Sequence, residues 1–180
     1  MDPRIVQIVD TCVLINLLAS GRIEEILQAT SKAHVICPIV AAELIYLRSD
    51  DPRNPRERVD LDPLIASGTL RICDIQGETE ELLYVNYASL LDDGEAMSLA
   101  LAISRGFHLA TDERKARRLF LAASNDPKRL VSTSELIRGW AEAEGIERRQ
   151  VREILDLIYS RARYHPPPAD VNYRWWFDVG

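Results

Sequence analysis

The strongest indication of the fold is the segment Ile5-Val6-Gln7-Ile8-Val9-Asp10-Thr11-Cys12-Val13-Leu14-Ile15 near the start of the chain. Its first part is rich in β-branched aliphatic residues, which is typical of a strand that is buried on both faces. Asp10 interrupts the apolar run, and residues that suit a helix follow it directly. The pattern predicts a strand, an acidic corner and a helix.

The alternation of strand and helix patterns continues along the chain. We predict further strands over 34–37, 70–75, 107–111 and 129–132 after the first at 4–9, with helices that include 39–47, 77–91, 95–104 and 113–123. Such alternation predicts an α/β fold, a three-layer α/β/α sandwich with a central parallel sheet. Residues 49–58 are rich in Asp, Arg and Pro, which is typical of an exposed loop.

The length of 180 residues is that of one ordinary domain. We predict a main domain over 1–145 and a C-terminal helical extension over 146–180, which ends in a cluster of aromatic residues at Tyr173, Trp175, Trp176 and Phe177. Large aromatic side chains rarely stay in water, so we expect this tail to fold back on the domain or to dock on a partner.

Composition limits the environment and the partners. The three cysteines share no C-x-x-C spacing and lie among apolar neighbours, so we expect small core residues in a reducing compartment, the cytoplasm. No apolar run approaches the ~20 residues that cross a bilayer, so we expect no membrane segment. A net charge of −6 argues against a large cationic surface for duplex DNA, but suits a site that collects carboxylates.

Two aspartates stand where predicted strands turn into helices. Asp10 follows the first strand, and Asp112 follows the strand at 107–111. Sites in parallel α/β sheets lie at the carboxyl ends of the strands, which favours a functional role. An aspartate directly before a helix is also a favoured N-cap, so either residue alone is explained equally well as a cap.

Two glutamates lie at comparable places. Glu43 interrupts the apolar stretch 39–47, where a buried carboxylate needs a partner, either a metal ion or an arginine such as Arg48 or Arg105. Glu95 begins a helix just after Asp92-Asp93-Gly94, where the helix dipole alone favours an acid.

The four acids are more informative together than singly. Two carboxylates about 4 Å apart repel by about 4 kcal/mol at an effective dielectric constant near 20, so a cluster of them requires a cation. Mg²⁺ and Mn²⁺ prefer oxygen ligands, whereas the three histidines are scattered and show no zinc spacing. The pattern therefore favours a Mg²⁺ or Mn²⁺ site.

At this point the sequence resembles the PIN-domain family, which includes bacterial VapC-like toxins and small ribonucleases. The resemblance lies in Ile8-Val9-Asp10-Thr11-Cys12-Val13-Leu14-Ile15, in Glu43 within its apolar stretch, in Asp93-Gly94-Glu95-Ala96, and in Leu109-Ala110-Thr111-Asp112-Glu113. It covers roughly residues 4–135, with each motif in the expected order.

The resemblance implies a divalent-metal-dependent endoribonuclease that hydrolyses RNA phosphodiester bonds, a homodimer and, for the toxin of a type II toxin–antitoxin pair, a neutralising antitoxin protein. Its acidic positions match Asp10, Glu43, Glu95 and Asp112 as catalytic residues. Asp10, Glu95 and Asp112 would hold the metal, with Asp93 as an alternative third acid and Thr11 as a polar helper.

A basic segment follows the last of these acids. Arg114, Lys115 and Arg118 lie on one predicted helix and are candidates to bind substrate phosphates, although a charged helix face is also the ordinary solvated surface. The alternative to an enzyme is a non-catalytic PIN-like module that binds protein or RNA, with the C-terminal aromatics as its contact surface.

Overall fold

The computed structural model describes residues 5–43, 45–49 and 51–179; the predicted start of the first strand at Arg4 lies outside these ranges. The strands are β1 (Val6–Val9), β2 (Ala33–Ile36), β3 (Tyr46–Arg48), β4 (Arg56–Arg58), β5 (Arg71–Ile72), β6 (His108–Ala110) and β7 (Leu130–Val131). The helices are α1 (Thr11–Ala19), α2 (Ile23–Ala29), α3 (Pro38–Ala42), α4 (Asp62–Ala66), α5 (Glu78–Ala88), α6 (Asp93–Arg105), α7 (Arg114–Ser124), α8 (Thr133–Ala143), α9 (Arg148–Ala162) and α10 (Tyr173–Asp178).

A parallel sheet organises the first of two compact units, which comprises the described residues of 1–13, 31–43 and 61–132. Its strand order is β5-β2-β1-β6-β7, with β1 at the centre. The central positions are apolar and fully buried, as at Ile8, Val9 and Ala110. Helix α6 packs on β1 and β6, and α5 and α7 pack on α6. The predicted α/β fold with a parallel sheet is therefore confirmed.

The second compact unit comprises the described residues of 14–30, 44–60 and 133–180, and α1 continues into it from the first. Helices α2 and α8 pack together, and β3 contacts α9. The aromatic tail belongs to this unit, where it forms α10 with Trp176 only 3% exposed. A hydrogen bond of 2.7 Å from the Ser134 hydroxyl to Asp170 also fixes the segment before α10 to α8. The tail therefore packs within this unit.

Among the described residues, the predicted helix over 39–47 is wrong beyond Ala42, and the predicted exposed loop over 49–58 is confirmed for 51–55 but wrong for Arg56–Arg58, which form a strand. Helix α3 ends at Ala42, and β3 and β4 instead form an antiparallel hairpin closed by a hydrogen bond from the Ser49 N–H to the Pro55 carbonyl at 3.1 Å. The apolar run from 39 to 47 fits a buried helix and a strand equally well, so periodicity could not separate them. The pairing of Tyr46–Arg48 with Arg56–Arg58 makes this segment a strand.

None of the described helices is both long enough and apolar enough to span a membrane.

Candidate metal centre

The site begins where the two central strands end. Because β1 and β6 are parallel, with Val9 paired to Ala110, the residues that follow them, Asp10 and Thr111, emerge side by side. A hydrogen bond of 3.0 Å from the Asp10 N–H to the Ala110 carbonyl continues the pairing. The sheet therefore brings together side chains that lie 101 residues apart in the sequence.

Asp10 is held on both carboxylate oxygens. Its Oδ1 accepts a hydrogen bond of 2.8 Å from the Thr11 N–H. Its Oδ2 accepts one of 2.9 Å from the Thr111 hydroxyl and a weaker one of 3.4 Å from the Cys12 thiol. With 1% of its surface exposed, Asp10 is a fixed, buried carboxylate at the base of the site.

Asp112 lies next to this group without acting as the helix cap. The N-cap of α7 is Glu113, whose side chain accepts from the Lys115 N–H at 3.4 Å. The Asp112 N–H donates to the Cys12 sulfur at 3.3 Å, which fixes the backbone of Asp112 beside the start of α1. The capping explanation considered for Asp112 therefore does not apply.

Glu43 takes a place that the sequence did not predict. It lies just past α3 in extended backbone, and its side chain is exposed rather than buried in an apolar helix. It packs against the start of α6 so closely that a Cβ atom at Gly94 would lie 2.8 Å from Glu43 Oε1. Of the two arginines considered as its partner, Arg48 and Arg105, the second binds Glu80 instead, at 2.6 Å.

Glu95, and not Asp93, faces the buried aspartate. Burial, and after it the carboxylates of Asp10, Glu113 and Asp92, raise the pKa of Glu95 to about 7. Asp93 is exposed and interacts with the hydroxyl of Tyr84, whose pKa it raises. Of the two acids considered for the third position, Glu95 is the one placed with Asp10.

The same electrostatic coupling extends to the other acids. Burial raises the pKa of Asp10, and Glu113 raises it too, while the hydrogen bonds from Thr111, Thr11 and Cys12 lower it. Loss of hydration raises the pKa of Glu43, the Thr11 hydroxyl lowers it, and the charges of Asp10 and Asp92 raise it. Carboxylates that raise one another's pKa in this way favour binding of a cation.

Cys12 and Thr111 are site residues that the sequence analysis missed. Cys12 was expected to be a core residue, yet its sulfur contacts Asp10 and the Asp112 backbone and lies 3.6 Å from the Thr111 hydroxyl. Burial and the charges of Asp10 and Asp112 raise the pKa of this thiol, so it stays protonated and can donate. Only the register of the two central strands, which places Thr111 beside Asp10, indicates these roles.

The donors fit a hard divalent cation, although they do not enclose one. Thr11 Oγ1 is buried beside Asp10 and makes no close hydrogen bond among the described residues, although it lies near enough to the Glu43 carboxylate to lower its pKa. Within those same residues, no three His, Cys, Asp or Glu side chains converge closely enough to hold a metal by themselves. Mg²⁺ commonly takes one or two carboxylates and completes its shell with water and substrate oxygens, which this arrangement permits.

A polar cleft of about 360 Å³ opens beside the acids. Glu95, Glu113 and Lys115 line it, together with residues 88–92. The Lys115 ammonium donates to the carbonyl of Leu90, whereas Arg114 and Arg118 are exposed on α7. Of the three predicted phosphate-binding residues, Lys115 is therefore the one that lines this cleft.

Comparison with known proteins gives one match. A family model described as a PIN domain matches residues 6–166 of the chain, which include every acid of the site. Neither the curated proteins nor the solved structures contain a match.

Proposed function

The chain belongs to the PIN-domain family, and on that premise we propose that it is a divalent-metal-dependent endoribonuclease that hydrolyses RNA phosphodiester bonds. PIN domains are generally nucleases and usually use divalent metal ions. The observation that carries the proposal is the placement of Asp10, Glu43 and Glu95 within one negative field at the ends of the central strands, with Asp112 beside them.

The chain's own residues would perform three tasks. Asp10, Glu95 and Asp112 would hold Mg²⁺ or Mn²⁺ together with water and substrate oxygens, and the Thr11 hydroxyl would bind a water of that shell. Burial and the neighbouring carboxylates raise the pKa of Glu95 to about 7 without metal, and a bound cation would relieve that repulsion. Lys115 would bind a substrate phosphate in the cleft.

The bound cation would supply charge neutralisation at the phosphate and would activate water for attack on phosphorus. Glu43, at the mouth of the site, would orient that water. Asp10 would remain a fixed ligand, because three hydrogen bonds from Thr11, Thr111 and Cys12 restrain its carboxylate.

Cleavage of a mixed RNA pool in EDTA, Mg²⁺ or Mn²⁺ tests the proposal. We expect cutting by the wild type only with metal, and a loss of at least about a hundredfold in Asp112→Asn, since the substitution removes one charge that neutralises the cation. Asp156→Asn is the matched control, because Asp156 is a surface aspartate with 71% of its side chain exposed. Metal-independent cutting, or equal rates in the two variants, would contradict the proposal.

The absence of a three-ligand cluster among the described residues favours a second candidate, a PIN-like module that binds RNA or protein without cleaving it. RNA binding without cutting by the wild type, in the presence of metal, would establish this alternative. The partners implied by the resemblance, a second copy of the chain and an antitoxin, stay predictions. The molar mass in solution tests the first, and co-purification with the product of a neighbouring gene tests the second.

A further inference from the structure

One face of the β3–β4 hairpin carries three arginines and a tyrosine. The antiparallel register pairs Tyr46 with Arg58 and Arg48 with Arg56. Side chains alternate between the two faces of a strand, and directly paired residues share a face. These four side chains therefore project from the same side of the hairpin, which we call the arginine face.

The opposite side of the hairpin is already occupied. Leu47 is 2% exposed, and its partner Glu57 accepts a hydrogen bond of 2.7 Å from Arg161 on α9. The arginine face, in contrast, is open to solvent: Tyr46 is 46% exposed, and all three of its arginines are exposed. The packing of the hairpin thus fixes which side is free to bind.

The arginines of this face have no acidic partners in the part of the chain that the structure describes. The ion pairs found there involve other side chains. Arg48 and Arg56 stand directly opposite each other, and like charges in that position destabilise a pair of strands. An anion bound between them would remove this repulsion, so the face suits a negatively charged ligand.

We propose that the arginine face binds single-stranded RNA. Guanidinium groups bind phosphate oxygens through paired N–H donors, and an exposed tyrosine offers a ring on which an unpaired base can stack. Paired positions two residues apart along a strand lie about 7 Å from each other, so the face is a short strip and not the broad surface that a duplex requires. The choice of RNA as the polyanion rests on the proposed function.

The test is binding of a fluorescently labelled single-stranded RNA to the full chain in EDTA, followed by anisotropy over a range of salt concentrations. We expect Arg48→Gln with Arg56→Gln to weaken binding about tenfold and to lower the salt slope by about 1.4, the value for two lost phosphate contacts on a single strand. The matched control is Arg149→Gln with Arg174→Gln, which removes the same charge from two exposed arginines elsewhere in the second unit. An equal loss in the control would overturn the proposal.

The tyrosine is tested separately. Tyr46→Ala should weaken binding about fivefold or more without changing the salt slope, because stacking involves no phosphate charge, whereas Tyr46→Phe should bind as the wild type does. Thermal unfolding of each variant checks that the hairpin still folds. An unchanged affinity in a folded Tyr46→Ala variant would overturn the stacking, and binding of an acidic peptide in preference to RNA would overturn the proposal in favour of a protein partner.

Failure of this inference can be distinguished from failure of the proposed function. If the wild type binds RNA but does not cut it, and the hairpin variants lose that binding, the arginine face is supported and the nuclease is rejected. An unchanged KM and kcat for RNA cleavage in the same variants would reject the arginine face and leave the nuclease intact.

Discussion

Thr111 and Thr11 lie on either side of Asp10 and use the same hydroxyl group differently. The Thr111 hydroxyl donates to Asp10 at 2.9 Å and accepts from the Glu113 N–H at 3.1 Å, whereas the buried Thr11 hydroxyl makes no close hydrogen bond among the described residues and lies near the Glu43 carboxylate. A satisfied hydroxyl stabilises the fold, and an unsatisfied one costs free energy unless a ligand uses it. We therefore expect Thr111 to contribute mainly to the stability of the fold and Thr11 mainly to cation binding.

Replacing each threonine by valine tests this difference. We expect Thr111→Val to lower the free energy of unfolding by about 1–3 kcal/mol, because it removes the shorter of the two hydrogen bonds to Asp10 Oδ2 and the acceptor of the Glu113 N–H. Thr11→Val should leave stability nearly unchanged in EDTA but weaken Mn²⁺ binding. Urea unfolding and Mn²⁺ titration measure the two quantities; equal destabilisation by the two substitutions would refute the distinction.

The acids and the residues that hold them were not equally predictable. Asp10, Glu95 and Asp112 could be found from sequence, because each stands at the boundary between a strand or a turn and a helix. The roles of Thr111 and Cys12 depend on which strands are neighbours and in what register, and neither is encoded in local spacing. Contacts between residues about a hundred positions apart require the sheet topology.

The first turn of α6 approaches the site closely because Gly94 has no side chain. A Cβ atom there would lie 2.8 Å from Glu43 Oε1 and 3.4 Å from a methyl group of Val40. We expect Gly94→Ala to displace the Glu43 carboxylate and to lower metal-dependent cleavage at least about tenfold, while stability changes little because helix propensity offsets the contact. In α8, Gly139 has no heavy atom within 4 Å of such a Cβ, so Gly139→Ala should add about 1 kcal/mol of stability and leave cleavage unchanged. A cleavage rate in Gly94→Ala equal to that of the wild type would contradict the proposed role of Glu43.

Helices α5 and α6 are joined by an ion pair that should make stability depend on pH. The Arg105 guanidinium lowers the pKa of the buried Glu80 to about 2. Since the folded pKa lies below the 4.5 of an unperturbed glutamate, the stabilisation is complete above pH 4.5 and is lost as the pH falls towards 2. We expect Glu80→Gln to cost about 2 kcal/mol at pH 6, because Arg105 is partly exposed and screened, and less below pH 4. Urea unfolding measures the difference in free energy of unfolding between the wild type and the variant, with Glu78→Gln at an exposed position as control. A difference that does not change with pH would contradict the prediction.

The hairpin shows where local patterns stop being informative. Residues 39–47 are almost uniformly apolar, so nothing in the sequence marks the end of α3 at Ala42. The arginines at 48, 56 and 58 were interpreted as a loop composition, although in the paired strands they form one face. Pairing depends on a partner strand and on the packing of Leu47, so the sequence alone could not place these side chains.

The whole molecule carries a net charge of −6, and part of that charge is concentrated around Glu95. The pKa of Glu95 is raised to about 7 in the folded chain, so the folded state holds a proton that the unfolded state releases above pH 4.5. Folding stability without metal should therefore fall as the pH rises from 4.5 to 7. His34, whose pKa burial lowers to about 4, gives the opposite slope, and it cancels when a variant is compared with the wild type at one pH.

Thermal unfolding of Glu95→Gln and the wild type at pH 5 and pH 8 tests both the repulsion and the metal site. In EDTA we expect the variant to be more stable than the wild type at pH 8, with a smaller difference at pH 5, where the folded Glu95 is protonated. Mn²⁺ at a hundred times its Kd should stabilise the wild type at pH 8 by about 2.7 kcal/mol, and the variant much less. Glu153→Gln, on the exposed side of α9, should respond to Mn²⁺ as the wild type does. An identical Mn²⁺ response in the wild type and Glu95→Gln would show that the negative field around Glu95 does not bind the cation.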